Sequence, residues 1–204
     1  MSSVRTRPIL DVSGLPTYAF GNRSLMWWGT FGLILIESTV FALAMVTYFY
    51  LRERSYQWPV GGMPPGLLYG TINTVLLLAS SIPNQWTKQA AEREDLPAVR
   101  LWLVVCNLFA AVFLVFRVFE FGSLHTSWNS SAYGSIVFAL LLLHTIHLVT
   151  DFVDTIVLTV LMFTGPLSGR RFVDVSENAV YWYFVVISWL FIYGTIYLAP
   201  RVLP

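Results

Sequence analysis

The sequence predicts an all-α, polytopic transmembrane helix bundle with five spans. Apolar residues make up 56% of the chain and charged residues only 11%, so a water-soluble domain of this composition would aggregate. Five apolar runs are each long enough to cross a hydrocarbon core of about 30 Å, which takes roughly 20 helical residues. Polar or Gly/Pro-rich segments separate the runs. The bilayer is therefore the expected solvent.

The predicted spans follow one another with short connections. Residues 1–24 are expected to form a cytoplasmic N-terminal segment without a cleaved signal sequence, and residues 25–204 the five-helix transmembrane domain. The first span would itself direct insertion. The five spans are predicted at residues 25–51, 65–86, 96–121, 132–163 and 179–199.

The distribution of basic residues predicts the orientation, because cytoplasmic loops carry an excess of Lys and Arg. Five spans place the two termini on opposite sides. The side of the N-terminus has eight basic residues: Arg5, Arg7, Arg23, Lys88, Arg93, Arg100, Arg170 and Arg171. The other side has four: Arg52, Arg54, Arg117 and Arg201. We therefore expect a multi-pass membrane protein with a cytoplasmic N-terminus and an external C-terminus.

Charge and cysteine content exclude several classes of function. The net charge of +1 provides no basic field for nucleic acid, and the basic residues lie in small groups at span ends. Cys106 is the single cysteine and lies in an apolar run, so one chain cannot build a disulfide framework, a zinc knuckle or a two-thiolate copper site.

Glu37 is an ionisable residue inside the first span. It lies twelve residues into the span, about 18 Å along a helix at 1.5 Å per residue. An ionised group at that depth costs on the order of 3 kcal/mol, so the neutral acid or a partnered carboxyl is expected. Two interpretations stay open, a proton or ligand site and a hydrogen-bonded contact between helices.

The fourth span carries a polar stripe formed by His144, His147, Asp151 and Asp154. At 100° per residue these positions fall within one sector of about 80°, so they should face other helices, a subunit interface or a polar cleft. The His-x-x-His spacing is also compatible with a metal site on one helix face. Since a 32-residue helix measures about 48 Å, both aspartates could instead be solvated beyond the membrane.

Ligands for a redox centre are few. The chain contains three histidines; His125 is predicted in a loop, and His144 and His147 share one helix. Haem or a binuclear copper centre needs several ligands converging from different helices. We therefore expect no catalytic residue, cofactor or metal in this chain.

Arg117 and Glu120, one turn apart at the end of the third span, are predicted to form a local ion pair.

Five motifs, in order, resemble subunit III of the haem-copper oxidases, in a short five-helix bacterial form. The similarity extends from Leu25 to Tyr197. The motifs are Glu37-Ser38 with AMVTYFYLR (residues 44–52); NTVLLLASS (73–81) with Trp86; Phe119-Glu120-Phe121; YGS (133–135) with His144-x-x-His147; and Tyr181-Trp182-x-Phe184-Val185 with Trp189-Leu190-Phe191-x-Tyr193.

This resemblance implies a non-catalytic subunit. It would pack against a catalytic subunit that holds the haem and copper, bind phospholipid, and support assembly and proton uptake in aerobic electron transport. It implies that Glu37, Glu120, His144 and His147 serve lipid headgroups or polar contacts between helices; Asp151 and Asp154 join them through the stripe. The chain departs from the family where Tyr183 and Val186 replace the usual His and Asp.

Two other functions fit the same residues. One is an accessory subunit of a nitric oxide reductase, which shares the subunit III fold. The other is a divalent-metal transporter using His144, His147 and Asp151, with Glu37 as a further oxygen ligand.

Overall fold

The computed structural model describes residues 18–59 and 63–202, which form a bundle of five long α-helices without strands. The helices are α1 (Leu25–Glu53), α2 (Leu67–Glu92), α3 (Leu96–Gly122), α4 (Ala132–Thr164) and α5 (Gly169–Tyr193). A π-helical segment, Gly194–Leu198, and a last turn, Ala199–Val202, continue α5. The all-α helix bundle predicted from sequence is confirmed. Residues 1–17 of the predicted N-terminal segment lie outside the described residues.

Side chains cap three of the helices at their first turn. Ser24 accepts a hydrogen bond from the backbone N–H of Met26 at the start of α1, and Asp95 accepts one from Ala98 in α3. Ser131 does the same for Gly134 in α4. Each cap satisfies one of the backbone donors that a helix N-terminus leaves free. The observed starts of α1, α3 and α4 accordingly coincide with the predicted ones.

Two helices extend further than predicted on the side where α1 begins. α2 continues past Trp86 to Glu92, and α5 begins at Gly169, ten residues before the predicted apolar run. Hydropathy marks only the part of a helix that lies in the hydrocarbon, whereas the helix itself continues into the polar region. The extension of α5 buries Phe172 and Val175 in a small core with the ends of α2, α3 and α4.

Four of the observed segments are long and apolar enough to cross a membrane: α1, α3, α4 and the run Gly169–Val202. α2 has 26 residues, and its buried side chains include polar ones, namely Asn73, Ser80, Asn84 and Thr87. These face α3 and α5, against which α2 packs most extensively. Crossing of the membrane by α2 follows from its place in the bundle and stays a prediction.

The main core runs along the centre of the bundle and contains large side chains from every helix. Tyr48 of α1, Phe113 of α3, Leu140 of α4 and Trp189 of α5 are buried there. α1 packs mainly against α4 and α5, and much of its remaining surface is apolar and exposed.

The start of the described chain is attached to the loops at the same end of the bundle. The Tyr18 hydroxyl donates a hydrogen bond of 2.7 Å to Glu94, which lies between α2 and α3. This hydrogen bond, together with partial desolvation and the Glu94 charge, raises the pKa of Tyr18.

Candidate functional site

The most deeply buried charges form one cluster, the Arg117 cluster, of Arg117, Glu120, Asn73, Tyr197 and His144. Arg117 Nη1 lies 2.7 Å from Glu120 Oε2, and both side chains are almost completely buried. The ion pair predicted between these two residues is confirmed, and both of its side chains are buried inside the bundle. Because the two charges neutralise one another, the bundle interior contains a dipolar pair and not two isolated ions.

Two further helices supply hydrogen bonds to the Glu120 carboxylate. Asn73 of α2 donates its amide to Oε2 at 2.5 Å, and the Tyr197 hydroxyl donates to Oε1 at 2.5 Å. The π-helical segment carries Tyr197, so this widened turn provides the second donor. Both carboxylate oxygens therefore have partners, as a buried charge requires.

His144 is held at both ring nitrogens. Arg117 Nη2 lies 3.1 Å from Nδ1, and the Val185 carbonyl oxygen lies 3.0 Å from Nε2. A guanidinium can only donate and a carbonyl can only accept, so Nδ1 is the acceptor and Nε2 carries the proton. This tautomer leaves neither nitrogen free for a metal ion.

Aromatic rings enclose the guanidinium. The Arg117 carbon Cζ lies 4.1 Å from the Trp189 ring centroid and 4.7 Å from that of Phe113. Both distances are within the range of cation–π contacts. Trp189 in turn donates its indole N–H to Thr74 of α2 at 2.9 Å. The Arg117 cluster thus links α2, α3, α4 and the end of α5.

Glu37 belongs to a second group, which joins α1 to α4 and α5. Its Oε2 accepts a hydrogen bond of 2.7 Å from the Tyr181 hydroxyl, and its Oε1 lies 3.6 Å from His147 Nε2. His147 donates from Nδ1 to the Leu143 carbonyl at 2.6 Å. In a neutral imidazole Nε2 then carries no proton. A hydrogen bond between Glu37 and His147 would therefore need either a protonated Glu37 carboxyl or an imidazolium as its donor.

The two aspartates of the polar stripe differ in environment. Asp151 is 4% exposed, and its Oδ2 has no hydrogen-bond partner. Asp154 is exposed. The prediction that both are solvated beyond the membrane is wrong for Asp151, because α5 and the polar face of α2 cover this part of α4. Together with Ser80, Asn84 and Thr87, Asp151 lines a small internal cavity.

A cavity of about 630 Å³ lies between the first half of α1, the second half of α4 and the first half of α5. We call it the α1/α4/α5 cavity. Its polar lining includes Glu37, Asp151, Asp154, Asp174 and Glu177, with Arg171 as the basic residue. Met26, Leu33, Val157, Leu158 and Leu161 supply apolar walls. All of these positions lie in the half of the bundle that sequence predicts to be cytoplasmic.

Within the described ranges, no group of three or more His, Cys, Asp or Glu side chains is arranged to hold a metal ion. The stripe itself diverges in space: His144 joins the Arg117 cluster, His147 approaches Glu37, and Asp151 and Asp154 line the cavity. Four neighbouring positions on one helix therefore have three different surroundings.

Several partners in these groups are missed by sequence analysis. Asn73, Tyr181 and Tyr197 supply hydrogen bonds to the buried carboxylates, yet each lies on a different helix from its acceptor. Hydropathy predicts a loop at Asp174 and Glu177 because the apolar run starts later. Each of the three donors lies in or beside an aromatic or polar motif within an apolar span, which marks it as a candidate for a buried polar contact. A single sequence does not show which residue on another helix is its partner.

The contacts of Glu37 predict how the site responds to substitution. Glu37→Gln retains a carbonyl oxygen that can accept from the Tyr181 hydroxyl, so its effect on the amount of assembled protein should be close to zero. Glu37→Leu leaves that hydroxyl unpaired and should cost about 1–3 kcal/mol. Thermal unfolding of the purified protein in detergent, with Tyr181→Phe as the reciprocal change, measures both effects. Equally severe losses in both Glu37 variants would show that ionisation, and not hydrogen bonding, is what matters.

Comparison with known proteins gives consistent matches along the chain. The family model for cytochrome c oxidase subunit III matches residues 18–200. Cytochrome c oxidase subunit 3 of Thermostichus vulcanus is 24% identical over 177 residues, which cover 85% of this chain and 87% of that protein. The corresponding protein of Corynebacterium diphtheriae is 27% identical over 175 residues, covering 83% and 85%. A probable cytochrome c oxidase subunit 3 of Mycobacterium tuberculosis is 30% identical over 173 residues, again covering 83% and 85%. The matched region contains all five helices and both polar groups.

Proposed function

The chain belongs to the cytochrome c oxidase subunit III family, and on that premise we propose that it supports assembly, lipid retention and proton uptake by the catalytic subunit of a haem-copper oxidase. In this proposal the haem and copper reside in the partner subunit, and this chain transfers no electrons. Its place is in the respiratory chain, as a multi-pass membrane subunit of aerobic electron transport.

One observation carries the proposal: the buried residues Arg117, Glu120 and His144 are paired with one another. His144 is held by Arg117 and Val185, and Glu120 by three donors. Residues engaged in this way hold helices together and do not present open ligand positions to haem or copper. The same contacts argue against the divalent-metal transporter, since that function needs His144 as a ligand.

The outer surface of α1 is suited to contact with lipids and with a larger partner subunit. Leu35, Ile36, Leu43 and Val46 are all more than half exposed. A patch of this kind needs an apolar neighbour, which lipid chains or transmembrane helices of the partner can supply.

We propose that Glu37 and the α1/α4/α5 cavity serve lipid binding and proton uptake. The cavity combines apolar walls with carboxylates, as a lipid headgroup region or a proton-accepting surface requires. Glu37 lines it, accepts a hydrogen bond from Tyr181 and lies 3.6 Å from His147 Nε2, so a proton that reaches the cavity finds two acceptors close together there. Proton transfer would stop at this pair or continue to the partner, and no electron transfer is involved.

We propose a cytoplasmic N-terminus and an external C-terminus, in the bacterial inner membrane. The excess of basic residues on the N-terminal side supports this orientation. The bacterial relatives support the choice of membrane. Cysteines introduced singly at Glu94 and at Ser130, in a Cys106→Ala background, would be labelled from opposite sides. We expect labelling of Ser130→Cys from outside the cell. Labelling of Glu94→Cys from outside would contradict the proposed orientation.

Copurification tests the proposed function. An affinity tag on this chain, used on native membranes in a mild detergent, should recover a large haem-containing subunit in a fixed ratio. Glu53→Gln, an exposed change at the far end of α1, serves as a control that should not alter the ratio. Recovery of the tagged chain alone, with no haem protein, would contradict the proposed function.

A further inference from the structure

Asp151 lines two cavities at once. One is the open α1/α4/α5 cavity, and the other is the small internal cavity enclosed by α2, α3, α4 and α5. Of the five carboxyl side chains that line the open cavity, Asp151 alone also lines the internal one. Asn178 of α5 is likewise in contact with both. These two residues therefore lie where the two cavities adjoin.

The Asp151 carboxyl is turned toward the interior of the bundle. Its Oδ2 atom is inaccessible and receives no hydrogen bond from any residue in the described part of the chain. None of the ion pairs formed within residues 18–59 and 63–202 includes Asp151. An oxygen that faced the open cavity would be accessible from it, so Oδ2 faces the internal cavity instead. A buried carboxyl oxygen is stable there only with a small polar partner.

The internal cavity has the size and the polarity of a site for one water molecule. It leaves about 20 Å³ for the centre of a water molecule, where about 10–15 Å³ is enough for one. Hydroxyl and amide groups of α2, α4 and α5 line it, namely Ser80, Asn84, Thr87, Thr155 and Asn178. This volume excludes an organic ligand of ordinary size.

The lining offers a bound water both donors and acceptors. The Thr87 hydroxyl donates its single proton to the Pro83 carbonyl at 2.9 Å, so its oxygen can only accept a further hydrogen bond. Asn178 donates one amide N–H to the Thr155 hydroxyl at 2.9 Å and has a second N–H on the same nitrogen. A water molecule can donate and accept, which suits this mixed lining.

We propose that the internal cavity binds one water molecule hydrogen-bonded to Asp151, and that Asp151 exchanges protons between this water and the α1/α4/α5 cavity. A carboxylic acid has one O–H donor and keeps acceptor capacity, so it can bond to water on either side of the boundary. One proton replaces another in each exchange, and the charge of the site does not change. The inference deepens the proposed proton uptake, on which it rests, by naming a residue and a water site for it.

The other ionisable groups at the two cavities leave this role to Asp151. Cys106 is the second ionisable side chain at the internal cavity, and its thiol contacts the Thr87 hydroxyl at 3.5 Å. At the open cavity, Glu37 is bonded by Tyr181, and the Arg171 guanidinium lies 3.9 Å from Asp174. Asp154 and Glu177 complete the set of carboxyls there. Each of these groups contacts only one of the two cavities.

Electron cryomicroscopy of the purified native oxidase complex tests the water site. A map that resolves ordered waters elsewhere in the complex should show one within hydrogen-bond distance of Asp151 Oδ2. Asp151→Asn keeps a polar side chain of the same shape and should retain this water, whereas Asp151→Leu removes the partner and should lose it. Asp154→Asn, the same change one turn further along α4, is the matched control and should retain the water.

Infrared spectroscopy of the same complexes tests proton exchange. The carboxylic acid band that is absent from Asp151→Asn is assigned to Asp151. In the native complex this band should shift to lower wavenumber as soon as D₂O replaces the buffer, because the acid proton exchanges through the bound water and the open cavity. Asp154→Asn should leave the Asp151 band and its shift unchanged. The Asn variant keeps the water without an acid proton, so the two measurements separate water binding from exchange.

An internal cavity without water density in the native complex would overturn the inference. A band for Asp151 that stays unchanged after long incubation in D₂O would do the same, as would a carboxylate band in its place. The native and Asp151→Asn complexes decide these points even if Asp151→Leu does not assemble. A haem partner that copurifies while either test fails leaves the subunit function standing and removes only the role of Asp151. Absence of the haem partner from the native preparation removes the function itself.

Discussion

Arg117→Leu should be the most damaging single substitution in the chain. It leaves the Glu120 carboxylate buried without its counter-ion and removes the donor to His144 Nδ1. Breaking one partner of a buried ion pair costs about 3–5 kcal/mol. Loss of the guanidinium also leaves a cavity between the Phe113 and Trp189 rings. The expected result is little or no assembled subunit in membranes, measured by the yield of folded protein in mild detergent.

A second substitution separates charge from packing in this prediction. Arg117→Leu/Glu120→Gln removes the charge left unpaired, while the side-chain amide carbonyl introduced at this position can still accept from Asn73 or Tyr197. Because removing both charges avoids a buried ion, the double variant should recover a large part of the lost stability. Arg93→Leu, at an exposed position just after α2, is the control for loss of one positive charge. A double variant as defective as Arg117→Leu would show that the ion pair is not what determines the loss.

Gly70→Ala should have the second largest effect. A Cβ atom at residue 70 would lie 2.6 Å from the Tyr197 Cζ atom, with two further ring atoms at 2.9 Å. Tyr197 is fully buried and donates to Glu120, so the ring cannot move aside without breaking that hydrogen bond. Overpacking of this kind costs about 1–3 kcal/mol, and loss of the hydrogen bond adds to it. A lower thermal unfolding midpoint in detergent is the expected observation.

Gly32→Ala provides the matched control for Gly70→Ala. Residue 32 is in the first half of α1, and a Cβ atom there would meet no atom within 4 Å. Alanine is the better helix former by up to about 1 kcal/mol, so this variant should be neutral or slightly more stable. If Gly70→Ala proved as harmless as Gly32→Ala, the close packing of α2 against the end of α5 would be wrong.

Apolar runs and the polar or Gly/Pro-rich segments between them are enough to predict the number and order of the helices. The predicted starts of α1, α3 and α4 are correct because a polar capping residue directly precedes an apolar run in each case. The predicted start of α5 and end of α2 are wrong, because both helices continue beyond the hydrocarbon as amphipathic segments. Their polar residues resemble a loop to a hydropathy analysis, although they are helical and partly buried.

The candidate site is predicted only in part. Helical spacing places His144, His147 and Asp151 on one face, and it pairs Arg117 with Glu120. Spacing on one helix carries no information about which neighbouring helix each residue meets. The four polar residues of the stripe consequently have three different surroundings, and the hydrogen-bond donors Tyr181 and Tyr197 are identified only in three dimensions.

The absorption spectrum and metal content of this subunit, after its separation from the purified complex, test the central claim most directly. The claim is that the buried residues Arg117, Glu120 and His144 bind one another and that this subunit holds no redox centre. The separated chain should show neither a haem absorption band nor stoichiometric copper, while both stay with the large partner subunit. A tightly held haem or copper ion on this polypeptide would contradict the account.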